Sequence, residues 1–182
     1  MKKTNVCLKP ILLEEIHFAS QLYESAFPPI ERRNTDKWKR LWHDDSRFHV
    51  EAIKDKEGNF VGFISYWTFT DFVYIEHFAI ESTCRGRNFG GDAIDIFIDK
   101  LKATPIVLEV ECPNDDVACR RIAFYQKHGL TLLEEKYLQP PYQEGYEWLP
   151  LLIMSSQADF AKKHFKSIVD AIHMHVYNVK SK

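Results

Sequence analysis

The sequence lacks the features that mark membrane, secreted and nucleic-acid-binding proteins. Its 182 residues contain no run of about eighteen apolar residues, so we expect no membrane-spanning helix. The N-terminal stretch has no uninterrupted apolar core before Glu14 and Glu15, and it therefore does not read as a signal peptide. A formal charge of −2 argues against a nucleic-acid-binding surface, which would carry a marked basic excess.

Metal-ligand patterns are also missing. The four cysteines are scattered, and three C-terminal histidines have no acidic partner at a ligand spacing. These residues are Cys7, Cys84, Cys112, Cys119, His164, His173 and His175. We therefore expect no metal site, and we expect reduced thiols in a cytoplasmic protein.

The two best-known phosphate loops are absent. Gly86 and Gly90 are not followed by Lys-Ser/Thr, and no Gly-x-Gly-x-x-Gly occurs. What the chain does contain is the basic glycine segment CRGRNFGG, which lies between the strand-like YIEHFAI and an apolar helix. Arg85 and Arg87 supply cationic donors, and Gly86, Gly90 and Gly91 permit close approach of the backbone to an anion at the helix N-terminus. The segment predicts a site for a nucleotide-like anion, with a solvated glycine turn as the alternative.

This segment resembles the signature Arg/Gln-x-x-Gly-x-Gly/Ala of the GNAT superfamily of N-acetyltransferases. The matching stretch runs from Arg85 to Gly90, and Asn88 stands where the first signature glycine is usual. Because Asn tolerates left-handed backbone better than other non-glycine residues, we expect the loop to keep its shape. Having Asn88 in place of glycine leaves the affinity for the cofactor open.

A second segment, ACRRIAFYQKHGL, is similar to the later helix of the same superfamily, with Tyr125 at the position of its tyrosine. A helix from about Asp115 to His128 also requires a left-handed residue just beyond its end, which Gly129 supplies. The resemblance covers roughly residues 5 to 155. It implies an α/β (α+β) fold with a central, mostly antiparallel mixed sheet flanked by helices.

Hydrophobic patterns predict the same elements. Residues 5–9 form a first strand, residues 13–27 a helix, and a shorter helix begins near Thr35. A hairpin follows over residues 48–67, and a central strand over residues 72–80. The last two strands are predicted at residues 130–135 and 149–155.

We divide the chain into an acetyltransferase domain, residues 1–155, and an amphipathic C-terminal helix within residues 156–182. The apolar stripe of that helix runs from Ala161 to Val176. It predicts packing on the domain, with a homodimer contact as the alternative.

Glu76 is the candidate general base. It is a carboxylate in an otherwise apolar strand, on the face that alternation assigns to Tyr74, Phe78 and Ile80. Burial there would raise its pKa towards a useful range. A water-filled position, or a pair with Arg32, Arg33 or His77, is the alternative.

The resemblance implies further roles. Tyr125 would protonate the departing coenzyme A thiolate, with a purely structural core aromatic as the alternative. Main-chain N–H groups near Phe78, Ala79 and Ile80 would bind the oxyanion. The residues expected to hold acetyl-CoA are Phe78, Ala79, Ile80, Arg85, Gly86, Arg87, Asn88, Phe89, Gly90, Gly91, Asn114 and Arg121.

The expected activity is direct transfer of an acetyl group from acetyl-CoA to the amine of a small molecule or peptide. Glu109 and Glu111 alternate onto one strand face and could line a site for a cationic amine, or could form a solvated edge. Tyr142, Tyr146 and Trp148 could form an aromatic wall. The alternative function is a non-catalytic acyl-CoA-binding or interaction module.

Overall fold

The computed structural model describes residues 4–101 and 103–179. Within these ranges the chain forms one eight-stranded sheet and six α-helices. The strands are β1 (Val6–Pro10), β2 (Phe48–Asp55), β3 (Phe60–Thr68), β4 (Val73–Ile80), β5 (Ile106–Glu111), β6 (Thr131–Leu132), β7 (Tyr137–Gln139) and β8 (Leu149–Ser155). The helices are α1 (Ile16–Ala26), α2 (Thr35–Asp44), α3 (Phe89–Lys100), α4 (Asp116–Lys127), α5 (Ala158–Lys163) and α6 (Phe165–His175). The predicted limits at residues 1 and 182 lie outside the described residues.

The sheet confirms the predicted fold class. Its strand order is β1-β2-β3-β4-β5-β8-β6, with β7 also paired to β8. The β4–β5 pair is parallel and the other ladders are antiparallel. Buried side chains of α1, α2, α5 and α6 share one core cluster with the sheet, and those of α3 and α4 belong to others. Helices therefore cover both faces, and β4 lies at the centre.

Local signals place the ends of α4 as the sequence predicts. The Asp115 carboxylate accepts hydrogen bonds from the N–H groups of Val117 and Ala118, both at 2.8 Å. Such a cap satisfies N–H groups that the helix itself leaves unpaired. At the other end Gly129 has a φ of 88°, and the Leu130 N–H donates to the Tyr125 carbonyl oxygen at 3.1 Å. The helix is thus closed at both ends by its own sequence.

Two predictions about the C-terminal third are wrong in detail. The strand predicted at 130–135 is only two residues long, and a further strand, β7, follows it and pairs with β8. The single helix predicted from the apolar stripe is two helices, α5 and α6, which meet at His164. Ile168, Ile172 and Val176 nevertheless lie in the same core cluster as the sheet.

A β-bulge overturns the predicted alternation along β4. Ser65 of β3 pairs with His77, whereas the next residue, Tyr66, pairs with Ile75, so Glu76 is the extra residue. Beyond the bulge, Phe78 packs in clusters on the α3 and α4 side of the sheet. Glu76 instead contacts Trp67, whose cluster lies on the opposite side. Glu76 therefore does not share a face with Phe78 and Ile80.

The parallel strands β4 and β5 separate after a short ladder. They pair over three positions, Val73 to Ile75 with Ile106 to Leu108. The remaining residues of β5 continue to pair with β8, and those of β4 with β3. A cleft therefore opens between the second halves of two adjacent strands.

Candidate active site

The cleft between β4 and β5 has a volume of about 580 Å³. Its two walls are residues 75–80 of β4 and residues 108–112 of β5 with the turn that follows. Residues 26–31, α4, and β7 and β8 with the loop between them also line it. The predicted site residues that line this cleft are Glu76, Phe78, Ala79, Ile80, Arg85, Asn114, Arg121 and Tyr125.

Main-chain groups of β4 are available along the cleft. Residues of an antiparallel ladder alternate between pairs that exchange hydrogen bonds and pairs that do not. The Glu81 N–H donates to the Val61 carbonyl oxygen at 2.9 Å. Glu81 and Val61 are thus a hydrogen-bonded pair, and every second residue of β4 from Glu81 back to the bulge is bonded to β3 in the same way. Phe78 and Ile80 occupy the intervening positions, so their N–H and C=O groups point away from β3. These groups face the cleft, and the Ile80 carbonyl accepts a hydrogen bond from Arg85 Nε at 3.2 Å.

The glycine loop forms a second hollow of about 360 Å³ at the end of β4. Its lining includes Ile80 and Arg85, which also line the cleft, so the two spaces share a boundary. Of the predicted cofactor residues it adds Gly86, Asn88, Phe89, Gly90 and Gly91. The N-terminus of α3 begins in this hollow, and its unpaired N–H groups give it a partial positive charge.

Asn88 has the left-handed backbone expected of it, with φ 62° and ψ 13°. Its carbonyl oxygen accepts from the Asp92 N–H at 3.0 Å, and its side-chain amide donates to the Asp92 carboxylate at 2.8 Å. A Cβ at Gly91 would lie 2.7 Å from the Asn88 amide oxygen. The loop therefore needs glycine at position 91 while Asn88 keeps this side-chain position.

Arg87 is the predicted cofactor residue that lines neither the cleft nor the loop hollow. Its guanidinium stacks over the Phe89 ring, 4.6 Å from the ring centroid. It lines a separate depression together with Asp55 and Glu57. Arg85 is thus the loop arginine that reaches the cleft.

Tyr125 is buried on α4 and lines the cleft. Burial raises the pKa of its hydroxyl to about 12, although the nearby Arg121 guanidinium lowers it. The phenol therefore stays protonated at neutral pH and can donate a proton or a hydrogen bond.

Glu76 forms a buried ion pair with Arg33, one of the partners that the sequence left open. Its other carboxylate oxygen accepts a hydrogen bond from Trp67 Nε1 at 2.8 Å. The other two possible partners bind carbonyl oxygens instead: Arg32 Nε contacts that of Phe27 at 2.9 Å, and His77 Nε2 that of Glu31 at 3.1 Å.

Glu109 and Glu111 both line the cleft but differ in environment. Glu111 is half-exposed and pairs with Arg121. Glu109 is partly buried and accepts hydrogen bonds from Tyr137, from Gln139 at 2.6 Å and from Tyr177 at 2.8 Å. Burial raises the pKa of the Glu109 carboxyl, and these donors oppose the rise. A solvated sheet edge does not describe Glu109.

Sequence reasoning did not place His77 and Tyr177 in the site. His77 lines the cleft, and burial lowers its pKa to about 3. Because a carbonyl oxygen can only accept, His77 Nε2 carries the proton and donates a hydrogen bond to the main-chain carbonyl oxygen of Glu31. Nδ1 is then an unprotonated acceptor, and none of the described residues donates to it. A histidine within an otherwise apolar strand was the sequence signal that could have indicated His77. No sequence pattern indicated Tyr177.

Three further expectations concerned an aromatic wall, a metal site and a membrane-spanning helix. Of the three aromatic residues proposed as a wall, Tyr142 lines the cleft, Tyr146 is exposed, and Trp148 packs against His173. Among residues 4–101 and 103–179 there is no group of three His, Cys, Asp or Glu that could hold a metal ion. No helix formed by the described part of the chain is long and apolar enough to cross a membrane.

The fold and the cleft together define an acetyltransferase of the GNAT type. The Acetyltransferase (GNAT) family profile matches residues 16–130, more than half of the chain. A protein from Bacteroides thetaiotaomicron that is assigned to the GNAT family as an acetyltransferase is 38% identical, with a TM-score of 0.89 over 96% of this chain and 99% of that one. The chain belongs to the GNAT family and is an N-acetyltransferase, and enzymes of this family use acetyl-CoA.

More distant structures share the fold alone. A spermidine N-acetyltransferase from Vibrio cholerae in complex with CoA and spermine has a TM-score of 0.64 at 14% identity, over 83% of this chain and 94% of that one. The ribosomal-protein-S18-alanine N-acetyltransferase from Escherichia coli has a TM-score of 0.61 at 15% identity, over 82% and 92%. The comparison with curated proteins gave no match.

Proposed function

We propose that the protein transfers the acetyl group of acetyl-CoA directly to the amine of a small molecule or peptide within the β4–β5 cleft. The observation that carries this proposal is the continuity of two spaces. The hollow over the glycine loop and the cleft along the unpaired edge of β4 meet at Ile80 and Arg85. A long cofactor with phosphates at one end and a thioester at the other fits this arrangement.

In this proposal the loop holds the pyrophosphate. Arg85 and the N–H groups at the start of α3 bind the phosphates, with Gly86, Gly90 and Gly91 allowing close approach. The pantetheine arm lies along β4 and pairs with the main-chain groups of Phe78 and Ile80, as an added strand would. Asn114 and Arg121 border the same cleft.

The chemical step joins the amine nitrogen to the thioester carbonyl carbon and breaks the carbon–sulfur bond. The main-chain N–H groups near Phe78 to Ile80 stabilise the oxyanion that forms. Tyr125 gives its proton to the departing thiolate. Glu76, which is paired with Arg33, accepts the proton that the amine loses, either directly or through water.

Amine-dependent thiol release tests this function. The wild-type protein is incubated with acetyl-CoA and one amine at a time. The amines are alkyl monoamines, spermidine and peptides that begin with alanine, and the products are identified by mass spectrometry. We expect release of CoA thiol above the amine-free rate, with one acetyl group on the amine. If acetyl-CoA binds but no amine in the panel is acetylated, a non-catalytic acyl-CoA-binding role replaces the proposal.

Direct transfer also requires that the protein itself is not acetylated on the way. Cys84 lies beside the loop hollow and Cys112 lies in the cleft. The intact mass of the protein after incubation with acetyl-CoA alone should therefore stay unchanged. An acetyl group that appears on either cysteine and is then lost on addition of amine would indicate a covalent route.

A further inference from the structure

Glu109 differs from Glu76, another carboxylate that lines the cleft, in the charge of its partners. Glu76 is neutralised by the Arg33 guanidinium. The donors to Glu109 are the hydroxyls of Tyr137 and Tyr177 and the amide of Gln139, all of which are neutral. Within the described ranges no lysine, arginine or histidine forms an ion pair with Glu109. A partly buried carboxylate without a cation has lost some of its hydration, and a cationic ligand would offset that loss.

The groups that hold Glu109 come from the end of the chain. Tyr137 and Gln139 belong to β7, and Tyr177 follows α6. All three lie beyond residues 16–130, the range that matches the family profile. The C-terminal segment is also fixed to the cleft by a second contact, because Arg33 donates to the Val176 carbonyl oxygen. The donors to Glu109 therefore lie outside the segment that the family profile matches.

Aromatic side chains complete the surroundings of Glu109. Tyr142 lines the cleft with Glu109 and Gln139, and its hydroxyl oxygen lies 3.3 Å from that of Tyr177. The Arg33 guanidinium stacks over the Tyr142 ring, 4.8 Å from its centroid. Aromatic faces and a carboxylate are the groups that recognise organic ammonium ions. The titratable and charged groups near Glu109 are Tyr74, Tyr137, Tyr142, Tyr177 and the Arg33–Glu76 pair.

We propose that Glu109 binds the acceptor as an ammonium ion, which releases one proton to bulk water before its nitrogen attacks, and that Tyr177 is a positioning residue which holds the Glu109 carboxylate for this binding. The preferred acceptors are then aliphatic primary amines, which are charged at neutral pH, rather than aromatic amines, which are not. This inference rests on the proposed function, because it places the acceptor in the same cleft. The C-terminal segment thereby becomes part of the active site.

Equilibrium binding tests the proposal without requiring turnover. Phenethylamine and its neutral analogue phenethyl alcohol are titrated into the CoA-saturated protein by calorimetry. We expect the wild-type protein to prefer the amine, and Glu109→Gln to bind it roughly tenfold more weakly while binding the alcohol and acetyl-CoA as before. The exposed substitution Glu147→Gln is the matched control. An amine affinity that is unchanged in Glu109→Gln overturns the proposal.

Tyr177→Phe provides a second test that keeps the shape of the side chain. Losing one donor destabilises the Glu109 carboxylate, so the pH below which phenethylamine binding is lost should move upwards. A merely structural role for Tyr177 would change stability but leave that pH in place, and this result would contradict the positioning role. If instead the wild-type protein binds the amine through Glu109 but never acetylates it, the proposed function fails while the ammonium site stands.

Discussion

Arg33 and Glu76 form an ion pair that joins the segment before α2 to the bulge of β4. The side chains are 9% and 0% exposed, respectively. Arg33 also donates to the carbonyl oxygen of Val176, and its own N–H donates to the Tyr23 hydroxyl at 2.8 Å. Arg33 therefore links α1, the central strand and the C-terminal segment through its main chain and its guanidinium.

Arg33→Met should destabilise the protein by about 3 kcal/mol, because it leaves the Glu76 carboxylate buried without its cation. Denaturant unfolding measures this free energy. The double substitution Arg33→Met/Glu76→Gln should recover at least about 1 kcal/mol, since the uncompensated charge is then removed. Arg40→Met, at an exposed position of α2, is the control and should change stability by less than about 0.5 kcal/mol. A double variant no more stable than the single one would disprove this coupling.

Tyr125→Phe should lower kcat about 100-fold while acetyl-CoA affinity stays near that of the wild-type protein. The reason is that the substitution keeps the ring in its packing site and deletes only the proton donor. Steady-state rates and calorimetry measure the two quantities. Tyr66→Phe is the matched control, because Tyr66 is also a buried phenol but bonds to Glu51, outside the cleft. A wild-type kcat in Tyr125→Phe would exclude Tyr125 as the acid.

Asn88→Gly and Asn88→Ala should behave differently. Glycine adopts the left-handed backbone of position 88 without strain, whereas alanine there costs about 1 kcal/mol. We expect Asn88→Gly to retain acetyl-CoA binding and Asn88→Ala to lower the free energy of unfolding by about that amount. Equal stability of the alanine variant and the wild-type protein would show that the loop does not need this conformation.

His77 should make stability fall as the pH is lowered. The pKa of His77 is about 3 in the folded protein and 6.5 when unperturbed. Below pH 6.5 His77 is therefore protonated in the unfolded chain while it stays neutral in the folded protein, which favours unfolding. Between about pH 7.5 and pH 5 this amounts to about 2 kcal/mol of lost stability. Unfolding of His77→Gln should show a shallower dependence on pH, while the exposed substitution His43→Gln should leave it unchanged. Identical slopes for His77→Gln and the wild-type protein would contradict this assignment.

The sequence predicted the parts of the molecule that depend on local signals. Asp115 and Gly129 mark the ends of α4 because a capping residue contacts main-chain groups only a few residues away. Asn88 likewise indicated a left-handed backbone, because that conformation depends on the residue itself. The hairpin, the central strand and the loop before α3 follow from short patterns of the same kind. These features account for the family and for the side of the cleft where we propose that the cofactor binds.

The acceptor side depends on contacts between distant residues. Arg33 and Glu76 are 43 residues apart, and Glu109 and Tyr177 are 68 residues apart. No pattern along the chain selects such pairs, and the sequence could name Arg33 only as one of three possible partners of Glu76. The bulge at Glu76 exists only through the pairing of β4 with β3. The predicted single C-terminal helix failed in a similar way, because the apolar stripe continues across His164 although the helix does not.

Hydrogen exchange along β4 tests the central claim most directly, namely that acetyl-CoA lies in the cleft against the free edge of this strand. The Phe78 and Ile80 amides are followed with and without acetyl-CoA. The account predicts that their exchange slows strongly when the cofactor binds, because its pantetheine arm accepts their hydrogen bonds. Binding that leaves both amides exchanging at their original rates would place the cofactor elsewhere and contradict the account.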